Sequence, residues 1–206
     1  MVFRYGSVSD ARQIAETYCE AFPESVCFFF KHKQREKLLS LLTSSFSLLL
    51  LTGSRALLVQ DRDGKLFGYC IYTSATSDNS RSRQLIQNCR EIFKHCINLI
   101  RSIRFTEIYK LIHNGITMRC STCLDQNLPR KCGRINSIAV SPQYRGLGIG
   151  TKLLAEVLAE LSNQAVCLNV RPDNLPAKHL YQKAGFEQCG TTKDLQGSWL
   201  MMIRGN

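Results

Sequence analysis

Thirteen consecutive residues constrain this chain more than any others: Ile138-Ala139-Val140-Ser141-Pro142-Gln143-Tyr144-Arg145-Gly146-Leu147-Gly148-Ile149-Gly150. An apolar strand runs into a glycine-rich turn. A helix with Leu153, Leu154, Val157, Leu158 and Leu161 on one face starts at its end. Glycines let backbone N–H groups approach a ligand closely. A helix N-terminus adds unpaired donors and partial positive charge. Together they make a cradle for a pyrophosphate. The plain alternative is a tight turn into a helix. The pattern lacks the Gly-Lys-Ser/Thr of a Walker loop and the Gly-x-Gly-x-x-Gly of a dinucleotide fold. Here it is Gly-x-Gly-x-Gly preceded by Arg145.

The rest of the chain reads as an α/β (α+β) protein. A short strand is expected over Phe3–Gly6. Ala11, Ile14, Ala15, Tyr18 and Cys19 recur at helical spacing, and Pro23 ends that helix. A second helix is predicted over Lys33–Leu50. Arg55–Gln60 and Lys65–Thr73 are strands joined by Asp61-Arg62-Asp63-Gly64, a hairpin signal. After the glycine turn, strands at Ala165–Val170, Phe186–Thr191 and Ser198–Ile203 alternate with a short helix at Asn174–Ala184.

Residues 77–133 interrupt this order as a basic helical insertion in an otherwise single domain, 1–206. Leu85, Cys89, Ile92, Cys96, Leu99 and Ile103 form an apolar stripe, which Ile86, Phe93 and Ile100 widen. Between Arg81 and Arg134, eleven Lys/Arg face three Asp/Glu, a net +8 of the chain's +11. Such a field attracts anions. Nucleic acid, phosphorylated cofactors, acidic head groups and acidic substrates fit it; polyamines and Lys-rich tails fit less well. Three readings of the insertion stand: a solvated face, a lid over an anionic acceptor, or a contact with an anionic membrane surface. Its aromatics, Phe93, Phe105 and Tyr109, lie at helical spacing and offer no base-stacking platform, so nucleic acid is disfavoured.

No apolar run reaches the roughly 18 residues needed to span a bilayer, and no signal peptide is visible at Met1. Most of the ten cysteines (Cys19, Cys27, Cys70, Cys89, Cys96 and Cys167 among them) lie in apolar contexts, so free thiols and a cytoplasmic setting are expected. Cys120-x-x-Cys123 with Cys132 and His113 has zinc-like residues at irregular spacing without a clean second pair, so no metal is assigned.

With the downstream block Val170-Arg171-x-x-Asn174-x-x-Ala177-x-x-Leu180-Tyr181-x-Lys183-x-Gly185-Phe186, the sequence resembles the GNAT superfamily of acyl-CoA N-acetyltransferases. Arg145, Gly148 and Gly150 match its Arg/Gln-x-x-Gly-x-Gly/Ala signature. The resemblance is secure over Ile135–Cys189 and looser over Asp10–Pro23 and the Arg55–Thr73 hairpin. It implies a twisted mixed sheet of about six to seven strands flanked by helices, the insertion preceding the fourth. It implies acetyl-CoA (coenzyme A) as donor, held by backbone atoms of Ile138, Ala139 and Val140. The pyrophosphate would rest on Arg145, Gly146, Leu147, Gly148, Ile149, Gly150 and Thr151. Asn174 would bond the cofactor arm, and Tyr181 would protonate the leaving thiolate. The acceptor is then a primary amine. The early Ala21-Phe22-Pro23 and the basic insert look like a subgroup tied to cell-surface polysaccharide genes, which points to small anionic or sugar-linked acceptors. The resemblance also admits a homodimer.

The pattern departs from the family at its base. Ribosomal-protein N-terminal acetyltransferases of the superfamily carry Leu-Glu-Val-Arg; this chain reads Leu168-Asn169-Val170-Arg171, and Asn169 cannot take a proton. The strand before the glycine turn offers Arg134-Ile135-Asn136-Ser137, where Ser137 could orient a water. Glu20, Glu24, His32 and His113 are the other base candidates. Two alternatives therefore stand: a protein N-terminal or lysine acetyltransferase, and a non-catalytic module that binds coenzyme A or a membrane.

Overall fold

The computed structural model describes residues 1–75, 85–124, 129 and 132–205. The expected start of the insertion (77–84) and its Asp125 lie outside the described residues. The main elements are β1 (Val2–Tyr5), α1 (Ala11–Ala21), α2 (Pro23–Phe30), α3 (Arg35–Leu51), β2 (Arg55–Gln60), β3 (Leu66–Thr73), α4 (Cys89–Ser102), α5 (Phe105–Ser121), β4 (Cys123–Leu124), β5 (Gly133–Val140), α6 (Ile149–Glu160), β6 (Val166–Val170), α7 (Leu175–Lys183), β7 (Glu187–Asp194) and β8 (Gly197–Arg204). Pro23 does more than stop α1. It opens α2 at the first helical turn, where its missing N–H costs nothing.

Eight strands form one mixed sheet in the order β1-β2-β3-β5-β6-β8-β7-β4. The α/β class is as expected, with one strand more than anticipated. That strand is β4, two insertion residues that pair Cys123 with Thr191 and Leu124 with Gly190. Gly190 permits the approach: a Cβ there would stand 2.4 Å from the Cys123 carbonyl oxygen. The Asp61–Gly64 turn is built as predicted, with Asp61 Oδ1 accepting from the N–H groups of Asp63 (3.0 Å) and Lys65 (2.7 Å).

Strand alternation sorts the core into two layers. Leu57, Val59, Cys70, Tyr72, Ile135, Leu168 and Val170 pack under α6 and α7. Ala56, Leu58, Tyr69, Ile71 and Ala139 pack under α1 and α3. Each fully buried side chain of this size contributes about 1.5–3 kcal/mol. Glu160, at the end of α6, accepts hydrogen bonds from Tyr72 and Arg55 and ties that helix to the sheet.

The insertion crosses the α1/α3 layer. Leu99 of its first helix and Ile103 just after it pack on the core. Lys33, before α3, meets Glu107 of α5 at 2.7 Å and donates to the Ser102 carbonyl at 2.6 Å. At the far end Asn114 Oδ1 accepts from Leu195 N (3.0 Å), and Met118 O accepts from the Thr192 hydroxyl (2.8 Å). The expected widening of the α4 stripe is corrected here. Ile86, Phe93 and Ile100 are 74%, 68% and 73% exposed, because α3 covers only the Leu99 side. Cys27 and Cys89 are likewise exposed rather than apolar-packed.

Candidate functional site

Strands β5 and β6 run parallel and pair only at Gly133–Val166 and Arg134–Cys167. Beyond Arg134 they part. β5 stays paired with β3 through Val140, and β6 with β8 through Val170. The backbone edge of Ile138–Val140 that points away from β3 therefore has no strand beside it. A gap opens in the middle of the sheet, and its β5 wall ends at the glycine turn.

The turn is held in shape by two left-handed residues, Gly146 (φ 79°) and Gly148 (φ 73°). Gly148 is the N-cap of α6, so the unpaired N–H groups of Ile149, Gly150 and Thr151 point into the mouth of the gap. A Cβ built on Gly146 or Gly148 meets nothing within 4 Å, so the space above both is open. The Arg145 guanidinium turns back: Nε donates to Val140 O and Nη2 to Ala21 O, each at 3.2 Å. It fastens the end of β5 to the end of α1. Ser141 strengthens that joint by donating to Glu20 Oε2 at 2.8 Å. The exposed Lys152, in the first turn of α6, adds a cation that the sequence reading passed over.

Tyr181 reaches the core side of the gap from α7. It is 5% exposed and packs edge-on to Phe186 at 5.9 Å. Burial pushes its phenol above the ordinary tyrosine range, and Cys70 adds to that push. Asn174 caps α7, its Oδ1 accepting from Ala177 N at 3.2 Å, which leaves its amide nitrogen as a donor. A groove of about 800 Å³ between α6 and α7, lined by Thr151, Leu154, Leu158, His179, Leu180 and Lys183, adjoins the turn.

On the opposite face Ser137 shares a 3.0 Å hydrogen bond with the buried Tyr69 phenol. Burial keeps that phenol protonated, so it can donate to Ser137 and leave the serine proton for another acceptor. Sequence reasoning missed a contact at the start of β5. With the Asn169 amide nitrogen donating to Leu168 O (3.1 Å), its oxygen accepts from Arg134 Nη2 at 3.2 Å. The arginine thus reaches across the parting strands. Nearby Arg171 stacks on Trp199 (3.9 Å to the centroid) and pairs with Asp194 at 2.9 Å. Of the base candidates, Glu20 sits at the α1–β5 joint. Glu24, His32 and His113 are exposed, with His113 lying beside the Tyr109 ring.

Among the described residues no group of three or more His, Cys, Asp or Glu is placed to hold a metal ion. Cys132 lies instead beside Cys167, sulfur to sulfur 3.3 Å. No helix of the described residues is long and apolar enough to cross a membrane.

The acetyltransferase (GNAT) family model matches residues 12–186. An N-alpha-acetyltransferase of Sulfurisphaera tokodaii is 48% identical over 62 residues, 28% of this chain and 37% of that protein. The N-alpha-acetyltransferase RimI of Mycobacterium tuberculosis is 43% identical over 56 residues, 27% of this chain and 35% of that protein. The matched stretches span between 16% and 42% of these and similar relatives. Whole-chain likeness is at the level of fold. An N-acetyltransferase from Staphylococcus aureus superimposes with a TM-score of 0.64 at 20% identity, covering 98% of this chain and 100% of that one. A ribosomal-protein-alanine N-acetyltransferase from Brucella melitensis gives 0.59 at 15% identity, covering 100% of both.

Proposed function

The chain belongs to the acetyltransferase (GNAT) family, and from that premise we propose that it transfers an acetyl group from acetyl-CoA to a primary amine on a small, anionic or sugar-linked acceptor by direct attack. One observation carries the reading: the sheet parts between β5 and β6, and the gap ends on the N-terminus of α6 behind Gly146 and Gly148. Acetyl-CoA supplies the acyl group as a thioester. The residues fit such a donor. The free backbone edge of Ile138–Val140 can bond an amide-bearing arm, and the α6 N–H groups with Lys152 can neutralise a pyrophosphate. The open space above both glycines admits it.

Tyr181 holds its proton through the neutral pH range and serves as the acid for the departing sulfur. An N–H at Ala139 or Val140 steadies the developing oxyanion. Asn174 donates to the cofactor arm. Ser137 orients a water for the acceptor amine, with Tyr69 fixing its hydroxyl. Arg134 supports the anionic acceptor class. It places a guanidinium beside the Asn169 amide, where it would hold a carboxylate or phosphate and favour the uncharged form of a nearby amine. Exposed thiols such as Cys27, Cys89, Cys120 and Cys123 suit a reducing cytoplasm.

The identities with N-alpha-acetyltransferases favour a second reading, a protein N-terminus or lysine as acceptor. The first experiment is a thermal-shift titration with acetyl-CoA against free adenosine. At a hundred times its dissociation constant the donor adds about 2.7 kcal/mol, about 5–11 °C for a chain of this size. No rise at millimolar acetyl-CoA would overturn the donor assignment. Intact-mass assays on phosphorylated amino sugars and on N-terminal peptides then separate the two acceptor classes.

A further inference from the structure

We propose that the outward face of the insertion seats this protein on an anionic membrane surface. Helix α5 is built inside out. Phe105, Tyr109, Ile112 and Ile116 recur at steps of four, three and four, so they share one stripe, and they are 84%, 66%, 59% and 55% exposed. The opposite stripe, Glu107, Asn114, Met118 and Ser121, is polar apart from Met118 and is turned inward. It is bonded there to Lys33, Leu195, Thr192 and Lys193. A soluble helix normally has the reverse arrangement. Helix α4 repeats the outward feature with Phe93 and Ile100, and Ile86 just before it, every seventh residue.

Charge selects the occupant. Arg90, Lys94, Arg101, Arg104 and Arg119 are exposed on or beside the same two helices, where Glu91 is the one exposed carboxylate among the described residues. A second copy on this face would set a basic surface against a basic surface. The apolar side chains stand on two convex helices of 14 and 17 residues. Such ridges enter the deformable boundary between head groups and acyl chains without needing a shaped groove. Exposed apolar side chains and clustered cations are the two signals that together hold a protein on anionic lipid.

The test is co-sedimentation of the full chain with phosphatidylcholine vesicles, with and without phosphatidylserine. The expected result is binding to the anionic vesicles only, falling as salt rises. The double variant Phe105→Ser with Ile112→Ser should bind at least about fivefold less while melting within about 2 °C of the parent, because both positions are already in solvent. Absence of the parent from the anionic pellet at low salt would overturn the proposal. So would binding that the double variant leaves intact, since charge alone would then account for it. Light scattering that finds a parent dimer and a variant monomer would assign the face to a second copy instead. None of these readouts depends on acyl transfer, so the proposal can fail while the donor assignment stands.

Discussion

Lys33 Nζ lies 2.7 Å from Glu107 Oε2, with only 2% and 7% of the two side chains exposed. Lys33 also donates to Ser102 O, and the Arg104 N–H donates to Glu107. The pair is satisfied on both sides, and it joins the segment before α3 to the first turn of α5. Removing one partner strands a buried charge, which costs about 3–5 kcal/mol. Glu107→Ala is therefore expected to lower the urea midpoint by that equivalent. Lys33→Met combined with Glu107→Leu should recover most of the loss. A single-variant cost under about 1 kcal/mol would show that the insertion is held elsewhere.

Tyr181 should be needed for turnover and dispensable for donor binding. Tyr181→Phe keeps the ring against Phe186 and removes only the hydroxyl, so the fold and the acetyl-CoA thermal shift should persist. Loss of a general acid lowers kcat by about 10²-fold or more. The phenol's pKa is raised by burial, so the acid stays protonated as pH rises and no alkaline fall of kcat from this group belongs below about pH 10. A phenylalanine variant with parental kcat would remove Tyr181 from the chemistry.

What the sequence made legible follows how local each requirement is. Gly146 and Gly148 are glycine because the backbone at those points is left-handed, and that need is written in the residue itself. Asn174 caps α7 for an equally local reason. The Arg134–Asn169 contact joins residues 35 positions apart on strands that pair for only two residues, and no local pattern announces it. Strand β4 has too few residues to alternate. Helix α4 taught a different lesson. Periodicity located its apolar positions, yet Leu99 and Phe93 differ in burial only because α3 lies on one side. A stripe in sequence gives a face, and tertiary packing decides whether anything covers it.

Acid should weaken the N-terminal segment through Asp10. Two hydrogen bonds from Arg4 (2.6 and 2.9 Å) lower its carboxyl pKa to about 2 against the opposing effect of burial, and the Ser7 N–H and hydroxyl assist. A carboxyl lowered on folding stabilises the protein above its unfolded value near 3.9, and that stability is lost as pH falls through about 2. Arg4 is partly in solvent, which discounts the contribution to about 1 kcal/mol. Asp10→Asn should lower the urea midpoint at pH 7 and flatten its decline between pH 4 and 2. An unchanged slope in the variant would refute the assignment.

The two glycines that frame the start of α6 should respond oppositely to alanine. Gly148 sits at φ 73°, where an L side chain strains the backbone by about 1–2 kcal/mol although the space beside it is open. That open space is the mouth of the gap, so a methyl group there also crowds any anion seated on the α6 N–H groups. Gly150 is helical, and a Cβ there meets Leu180 Cδ2 at 3.6 Å and Val140 Cγ2 at 3.9 Å, ordinary contacts. Gly→Ala inside a helix gains about 0.5–1 kcal/mol. Gly148→Ala is thus expected to melt lower and to lose most of its acetyl-CoA thermal shift. Gly150→Ala should melt at or above the parent and keep the shift. Equal loss of the shift in both variants would mean that the donor presses on the first turn of α6 more closely than the left-handed N-cap requires.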